Sequence, residues 1–289
     1  MIQDIVITTL INGSIYALLA IGFSLIFGVA RIVNIAHTAF YMVAAYCIFF
    51  STHKLGMPPV AAMFAAIAVT VALGLLTYKF FIEPIREHEA AVLIATIALA
   101  MVLQEIMLLL FSGEFRSVPP LTAGYTVIGG VKVAYQQLLT IAIALLTLSG
   151  VWAFIKKTRM GLAIRSTAQD REVANLMGMN EARIAMITLA VSVGLAALTG
   201  AVVVPLTVVN PHMWMHPLIM MMAVVVLGGM GSLKGSFTAA YILGLAEALV
   251  VFLIPLGSYL KGSVALSIMI LVLIIRPEGL FGVTFEEER

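Results

Sequence analysis

Residues 165–205 read RSTAQDREVANLMGMNEARIAMITLAVSVGLAALTGAVVVP. The first half is polar and punctuated by charges. From Ile184 to Pro205 no charge occurs. About 20 apolar residues in a helix cross the ~30 Å hydrocarbon core of a bilayer. The stretch therefore joins a water-facing helix directly to a membrane span. The rest of the chain follows the second half. It is 62% hydrophobic and only 10% charged, with a mean hydropathy of +1.13. A soluble domain carries about 25% charged residues, so this chain has too few polar groups to cover a water-facing surface. The reading is an all-α, polytopic transmembrane helix bundle. The net charge of +2 is too small to point to a nucleic-acid partner.

Polar, Gly and Pro clusters divide the chain into nine candidate spans: 5–29, 36–51, 58–81, 91–111, 137–155, 184–205, 213–229, 236–255 and 258–275. The run 36–51 is short, 213–229 contains His216 and Pro217, and 258–275 opens on Ser, Lys and Gly. The expectation is about eight or nine spans, some broken or re-entrant. Such backbone survives at membrane depth only inside protein or beside water. The start, MIQDIVITTL, lacks a basic leader segment and runs into a long apolar stretch, so it reads as the first span. Cys47 is the only cysteine and cannot form an internal disulfide.

Orientation follows from the basic loops. The 156–183 connection holds Lys156, Lys157, Arg159, Arg165, Arg171 and Arg183, six of the 16 basic residues. It should be cytoplasmic. Nine crossings then put the N-terminus outside and the C-terminus in the cytoplasm. The external 112–136 loop contains YTVIGGVKVAY, two β-prone runs around Gly129-Gly130, which is a hairpin signal. The expectation is one transmembrane domain over 1–289, with a cytoplasmic loop 156–183 and an external hairpin loop 112–136.

Within the polar segment, Ser166 and Gln169 have capping-box spacing, with Ser166 as N-cap. Asp170 and Glu172 suit the positive end of a helix. Val173, Leu176 and Met177 fall at i, i+3 and i+4 and form one apolar face. Ala174 borders that face and permits close approach by a partner. Gly178 can take the left-handed conformation that ends a helix. Asn180 can cap the next helix, which enters the membrane at Ile184. About 11 residues form no stable helix alone. The apolar face needs a second surface, either a lipid interface or another protein.

Here the sequence resembles a family. Glu172-Val173-Ala174-Asn175-Leu176-Met177-Gly178 matches the E-x-A-x-x-x-G core of the loop by which ABC-importer permeases engage their ATPases. The I-x-L-P continuation is absent; Thr188, Ala190 and Val191 stand where it would be, unlike the maltose-type subclass. Four stretches look like permeases of the branched-chain amino acid ABC transporter family: GFSLIFGVARIVNIAHTAFYMVAAY (22–46), TRMGLAIRSTAQDREVANLMGMN (158–180), VLGGMGSLKG (226–235) and RPEGLFG (276–282). The resemblance runs from near residue 8 to residue 282. It implies a multi-pass permease of the bacterial inner membrane that moves branched-chain or related hydrophobic amino acids inward. It further implies pairing with a homologous permease, as a homo- or heterodimer. Two cytosolic ATPase subunits would carry ATP and Mg, and a soluble binding protein would deliver substrate from outside. The residues engaging the ATPase would be Ser166, Gln169, Asp170, Glu172, Ala174, Leu176, Met177 and Gly178. Close relatives in the family carry urea and short amides.

GGMGSLKG lacks the GxxxxGK[ST] spacing that cradles phosphates, so it reads as a tight turn and nucleotide hydrolysis falls to a partner. Glu105 and Glu247 lie within apolar runs, where an ionised carboxylate is costly. They should face the bundle interior, as polar contacts along a substrate path or as interhelical hydrogen bonds. Asn34-Ile35-Ala36-His37-Thr38 interrupts two apolar runs and resembles the family's N-x-A-H signature. A broken helix there could line a cavity, or His37 could be a packed structural residue. Asn34, His37, Glu105 and Glu247 are the path candidates. His212 and His216 have the i, i+4 spacing of helix zinc ligands, but Pro211 and Pro217 flank them and no carboxylate is near in sequence. No metal and no cofactor is expected in the chain. An ion-coupled secondary transporter is the alternative from another class. A membrane enzyme is the weakest reading, because no GxSxG or HExxH occurs.

Overall fold

The computed structural model describes residues 1–128 and 130–282. Eleven helices and one hairpin follow in order. The helices are α1 (Ile2–Ala30), α2 (His37–His53), α3 (Pro59–Thr77), α4 (Glu89–Phe111), α5 (Tyr135–Lys157), α6 (Arg159–Gln169), α7 (Arg171–Leu176), α8 (Glu181–Val203), α9 (Met215–Gly228), α10 (Leu233–Leu253) and α11 (Lys261–Ile275). Strands β1 (Tyr125–Ile128) and β2 (Val131–Ala134) lie between α4 and α5. The protein is all-α apart from this hairpin. Six helical segments among the described residues are long and apolar enough to cross a membrane: Ile2–Ala30, Pro59–Ile85, Glu89–Phe111, Tyr135–Lys157, Glu181–Leu206 and Leu233–Leu253. α2, α9 and α11 are shorter, at 17, 14 and 15 residues.

α1 and α8 form the centre. Every residue of α1 from Tyr16 to Ile26 is buried, and α8 packs on α1, α2 and α3. A helix buried on all sides needs no polar stripe, which is why these sequences read as uniformly apolar. α10 runs antiparallel to α1, since Ser24 meets Ser236 and Tyr16 meets Glu247. Small residues permit the approach. A Cβ on Gly244 would lie 2.9 Å from the Gly13 backbone nitrogen, and one on Gly200 would lie 2.3 Å from the Tyr41 carbonyl oxygen. Without a hydrophobic drive between helices in lipid, such close contact supplies the association energy. α2 is buried on nearly all faces despite its length. It is a core helix.

The hairpin expected around Gly129-Gly130 is present, with Tyr125 paired to Ala134 and Ile128 to Val131. Gly129 lies outside the described residues. The preceding loop is fastened by reciprocal backbone hydrogen bonds between Arg116 and Val209, at 3.0 and 2.8 Å. Arg116 also sits over the Phe49 ring.

Candidate functional site

The polar segment begins about two turns earlier than its sequence spacing predicts, capped at Thr158 and not at Ser166. Thr158 Oγ1 accepts the Gly161 N–H at 2.9 Å and starts α6. Ser166 is therefore inside α6, and the Ser166–Gln169 capping box does not form. The cause lies in the α5–α6 corner. A Cβ on Gly161 would fall 2.3 Å from the Phe154 carbonyl oxygen, so the glycine lets α6 fold back against the end of α5 from Thr158 onward. Ile164 and Thr167 then face the bundle.

Asp170 breaks the helix. Its backbone is extended, and its carboxylate accepts the Val173 N–H at 2.9 Å, capping the short α7. Asp170, and not Ser166, is the N-cap of the segment that carries the apolar face. α7 ends as expected. Gly178 has φ of +81°, Met179 N–H donates to the Ala174 carbonyl and Gly178 N–H to the Asn175 carbonyl. This pair of bonds is the Schellman motif. Asn180 Oδ1 then accepts the Arg183 N–H at 2.9 Å and caps α8.

Within α7 only Ala174 is buried, at 4% exposure. Val173, Leu176 and Met177 are 53%, 86% and 76% exposed. The apolar face predicted from spacing exists and points away from the chain. Glu172 is exposed in the first turn, where the helix dipole favours it.

One carboxylate, not singled out by the sequence, gathers this region. Glu181, the first residue of α8, is paired with Arg171 of α7. Arg86, just after the α3 extension, is 3.4 Å from Glu181 Oε1. Asn175 Nδ2 donates to Glu181 Oε2 at 3.3 Å. The Glu181 side chain is 16% exposed. α3 reaches this point through a π turn, Tyr78–Ile82, and a 3₁₀ turn, Glu83–Ile85.

Two other quoted motifs prove to be one unit. Leu280 and Phe281 N–H groups donate to the Leu227 and Gly228 carbonyls, at 2.8 and 3.1 Å. The α9–α10 turn is thus backed by the 276–282 segment. Gly229 adopts φ +95°, and a Cβ there would lie 2.5 Å from the Gly282 nitrogen. The glycines serve the tight turn that the sequence predicts and, beyond it, close backbone packing against the 276–282 segment. A cleft of about 620 Å³ opens beside it, walled by Phe27, Arg31, Ala168, Met230, Glu278 and Phe281.

The path candidates separate. Asn34 and His37 flank the break between α1 and α2, and both are fully enclosed. The His37 ring packs on Gly22 and Phe23 of α1. Ser192 of α8 donates to the Gly22 carbonyl at 2.7 Å and lies 3.4 Å from His37 Nδ1. Thr96 of α4 accepts the Ile35 N–H. The break is thus packed into a helix crossing. Glu247 faces the interior, at 2% exposure. Tyr16 OH donates to its Oε2 at 2.6 Å, and Lys261 Nζ lies 3.3 Å from its Oε1. Glu105 corrects its expectation. It lies on the exposed face of α4, accepting from Gln104 Nε2 at 3.3 Å. Gln104 is itself buried, and its Oε1 accepts from Trp214 Nε1 at 2.9 Å.

Comparison with known proteins agrees with the layout. The family model described as branched-chain amino acid transport system / permease component matches residues 5–273. The chain is similar to the high-affinity branched-chain amino acid transport system permease protein BraD of Pseudomonas aeruginosa. The two are 32% identical over 285 residues, covering 93% of this chain and 92% of BraD. It is 29% identical to the Escherichia coli permease protein LivH, with the same coverage. Among solved structures, a chain of PsaBC from Streptococcus pneumoniae in complex with Fab aligns with a TM-score of 0.51 at 18% identity. That alignment covers 96% of this chain and 92% of the other.

Proposed function

The chain belongs to the family of branched-chain amino acid transport permease components, and from that membership we propose that it is the membrane subunit of an ATP-driven importer. Its substrates are branched-chain or related hydrophobic amino acids, moved inward across the plasma membrane. The single observation that carries the reading is the exposed apolar face of α7, held between an aspartate cap and a glycine corner. Fully burying a side chain such as Leu176 or Met177 is worth about 1.5–3 kcal/mol. A partner that covers this face gains that energy and a handle on the bundle.

The partner in this reading is a cytosolic ATPase, two copies of which bind beneath a pair of homologous permeases. ATP and Mg²⁺ sit on the ATPases, and an external binding protein supplies the solute. The chain is one permease domain, its N-terminus outside, its C-terminus and 156–183 loop in the cytoplasm, its 112–136 hairpin loop external. This requires α2, α9 and α11 to cross as well, giving nine spans. Ser166 and Gln169 support α7 from α6, while Asp170, Glu172, Ala174, Leu176, Met177 and Gly178 form the ATPase-facing element. Asn34, His37 and Glu247 line a path when the helix crossings that bury them part. Glu105 joins it where the paired permease covers the exposed face of α4.

Reconstitution tests the proposal. Purified permease pair, ATPases and binding protein in vesicles should accumulate labelled leucine only with ATP. Uptake by the permease chains alone, driven by a proton or sodium gradient, would reject it in favour of an ion-coupled carrier.

A further inference from the structure

We propose that Glu181 is the positioning residue through which movement of α7 is delivered to the membrane helices. The inference rests on the importer reading above and adds the joint by which it works.

The covalent link from α7 to α8 is closed by backbone hydrogen bonds but braced by no side chain at its corner. It runs through Gly178, which is at φ +81° and would have nothing within 4 Å of a Cβ, then through Asn180 with an extended backbone. Without a side chain packed at the turn, the corner by itself gives α7 little lateral support. α7 itself is a six-residue helix with one buried side chain, Ala174. Apolar packing on the bundle therefore cannot hold it at a fixed angle.

The Glu181 carboxylate supplies what the backbone lacks. It receives Arg171 from the first residue of α7 and Asn175 from its far end. Two anchor points set the direction of a helix, whereas one sets only its distance. The carboxylate sits at the first position of α8, where the helix dipole stabilises a negative charge. Arg86 brings in a third element, the end of the α3 extension. Tyr78 is buried on the π turn of that extension. Single π turns within helices are frequent at functional sites.

The consequence is a division of motion. A push on α7 reaches α8 through Glu181, and α8 contacts α1, α2 and α3. The same push reaches α3 through Arg86. With the carboxylate removed, α7 still carries its apolar face and still binds the ATPase, but its displacement is absorbed at Gly178. Charge-assisted hydrogen bonds are the strong ones, and losing one lowers the population of the docked helix by about tenfold.

The test compares Glu181→Gln, which keeps the shape and loses the charge, with Glu181→Asp, which keeps the charge and loses a methylene. Each is reconstituted with the ATPases and binding protein, and leucine uptake per ATP hydrolysed is measured beside co-purification of the ATPase. The expected result is an uptake-to-ATP ratio lowered about tenfold in Glu181→Gln, with ATPase bound and hydrolysing. Glu181→Asp retains most of the ratio. A merely structural packing role predicts the reverse order, because Gln fills the space better. The proposal is overturned if Glu181→Gln couples like the natural chain, if Asp is the worse variant, or if Glu181→Gln loses the ATPase altogether. A natural complex that takes up leucine without consuming ATP overturns the importer reading, and this joint with it. A natural complex that couples normally beside a fully coupled Glu181→Gln overturns the joint alone.

Discussion

Tyr16 of α1 donates a 2.6 Å hydrogen bond to Oε2 of Glu247 on α10, while Lys261 at the start of α11 closes on the other oxygen at 3.3 Å. A carboxylate this deeply enclosed needs its partners, because an uncompensated charge in a membrane interior is costly. Lys261→Met should therefore destabilise the permease more than Glu247→Gln, which removes the charge itself. Lys261 is partly exposed, so the expected loss is about 1–3 kcal/mol, below that of a fully buried pair. Thermal unfolding in detergent reads the order. A more stable Lys261→Met would contradict the role of the pair.

The apolar face of α7 yields a binding prediction. Leu176→Ser and Met177→Ser should each weaken ATPase association by roughly tenfold or more, the value of one buried apolar side chain. Both side chains are exposed in the free permease, so its own melting temperature should stay unchanged. Co-purification with the ATPase against melting of the isolated chain separates the two effects. Equal loss in both assays would assign these residues to folding instead.

Gly178 is constrained by its backbone and not by space. A β-branched residue at a left-handed position costs about 1–2 kcal/mol. Gly178→Val should therefore lower uptake while membrane insertion persists, and Gly178→Asn should be milder, since Asn tolerates this conformation. Transport assays on membranes matched for permease content give the ranking. Normal uptake in Gly178→Val would show that the corner can be rebuilt without consequence.

Helix crossings give a stability prediction of the opposite kind. A Cβ on Gly200 would lie 2.3 Å from the Tyr41 carbonyl oxygen, with backbone and no flexible side chain in the way. Gly200→Ala should destabilise by about 1–3 kcal/mol. Gly150→Ala, with nothing within 4 Å and a helical position, should be neutral or slightly stabilising.

The sequence exposed those parts of the design that are local. Apolar run length located the helices, and Gly178, Asn180 and the Val173–Leu176–Met177 face all stand where spacing placed them. Ser166 was read as the cap, but Thr158 and Asp170 have side chains that cap equally well, and local chemistry does not rank the three. The α5–α6 corner, made possible by Gly161 against Phe154, selected the outer two. Glu105 was misplaced because α4 is apolar on all sides, so no stripe marked which face is exposed. Glu181 went unnoticed because Arg86 lies 95 residues away along the chain, and only folding brings the two together. Lys261, on a different helix from Glu247, was hidden for the same reason.

Site-directed crosslinking tests the central claim most directly. In a chain whose Cys47 is replaced by Ala, Leu176→Cys provides a single thiol on the exposed face of α7. The account predicts that a thiol-reactive crosslinker joins it to the ATPase subunit, that ATP changes the yield, and that membrane-impermeant reagent reaches it only from the cytoplasmic side. Labelling from the external side, or a thiol that reacts only with lipid-embedded probes, would contradict it.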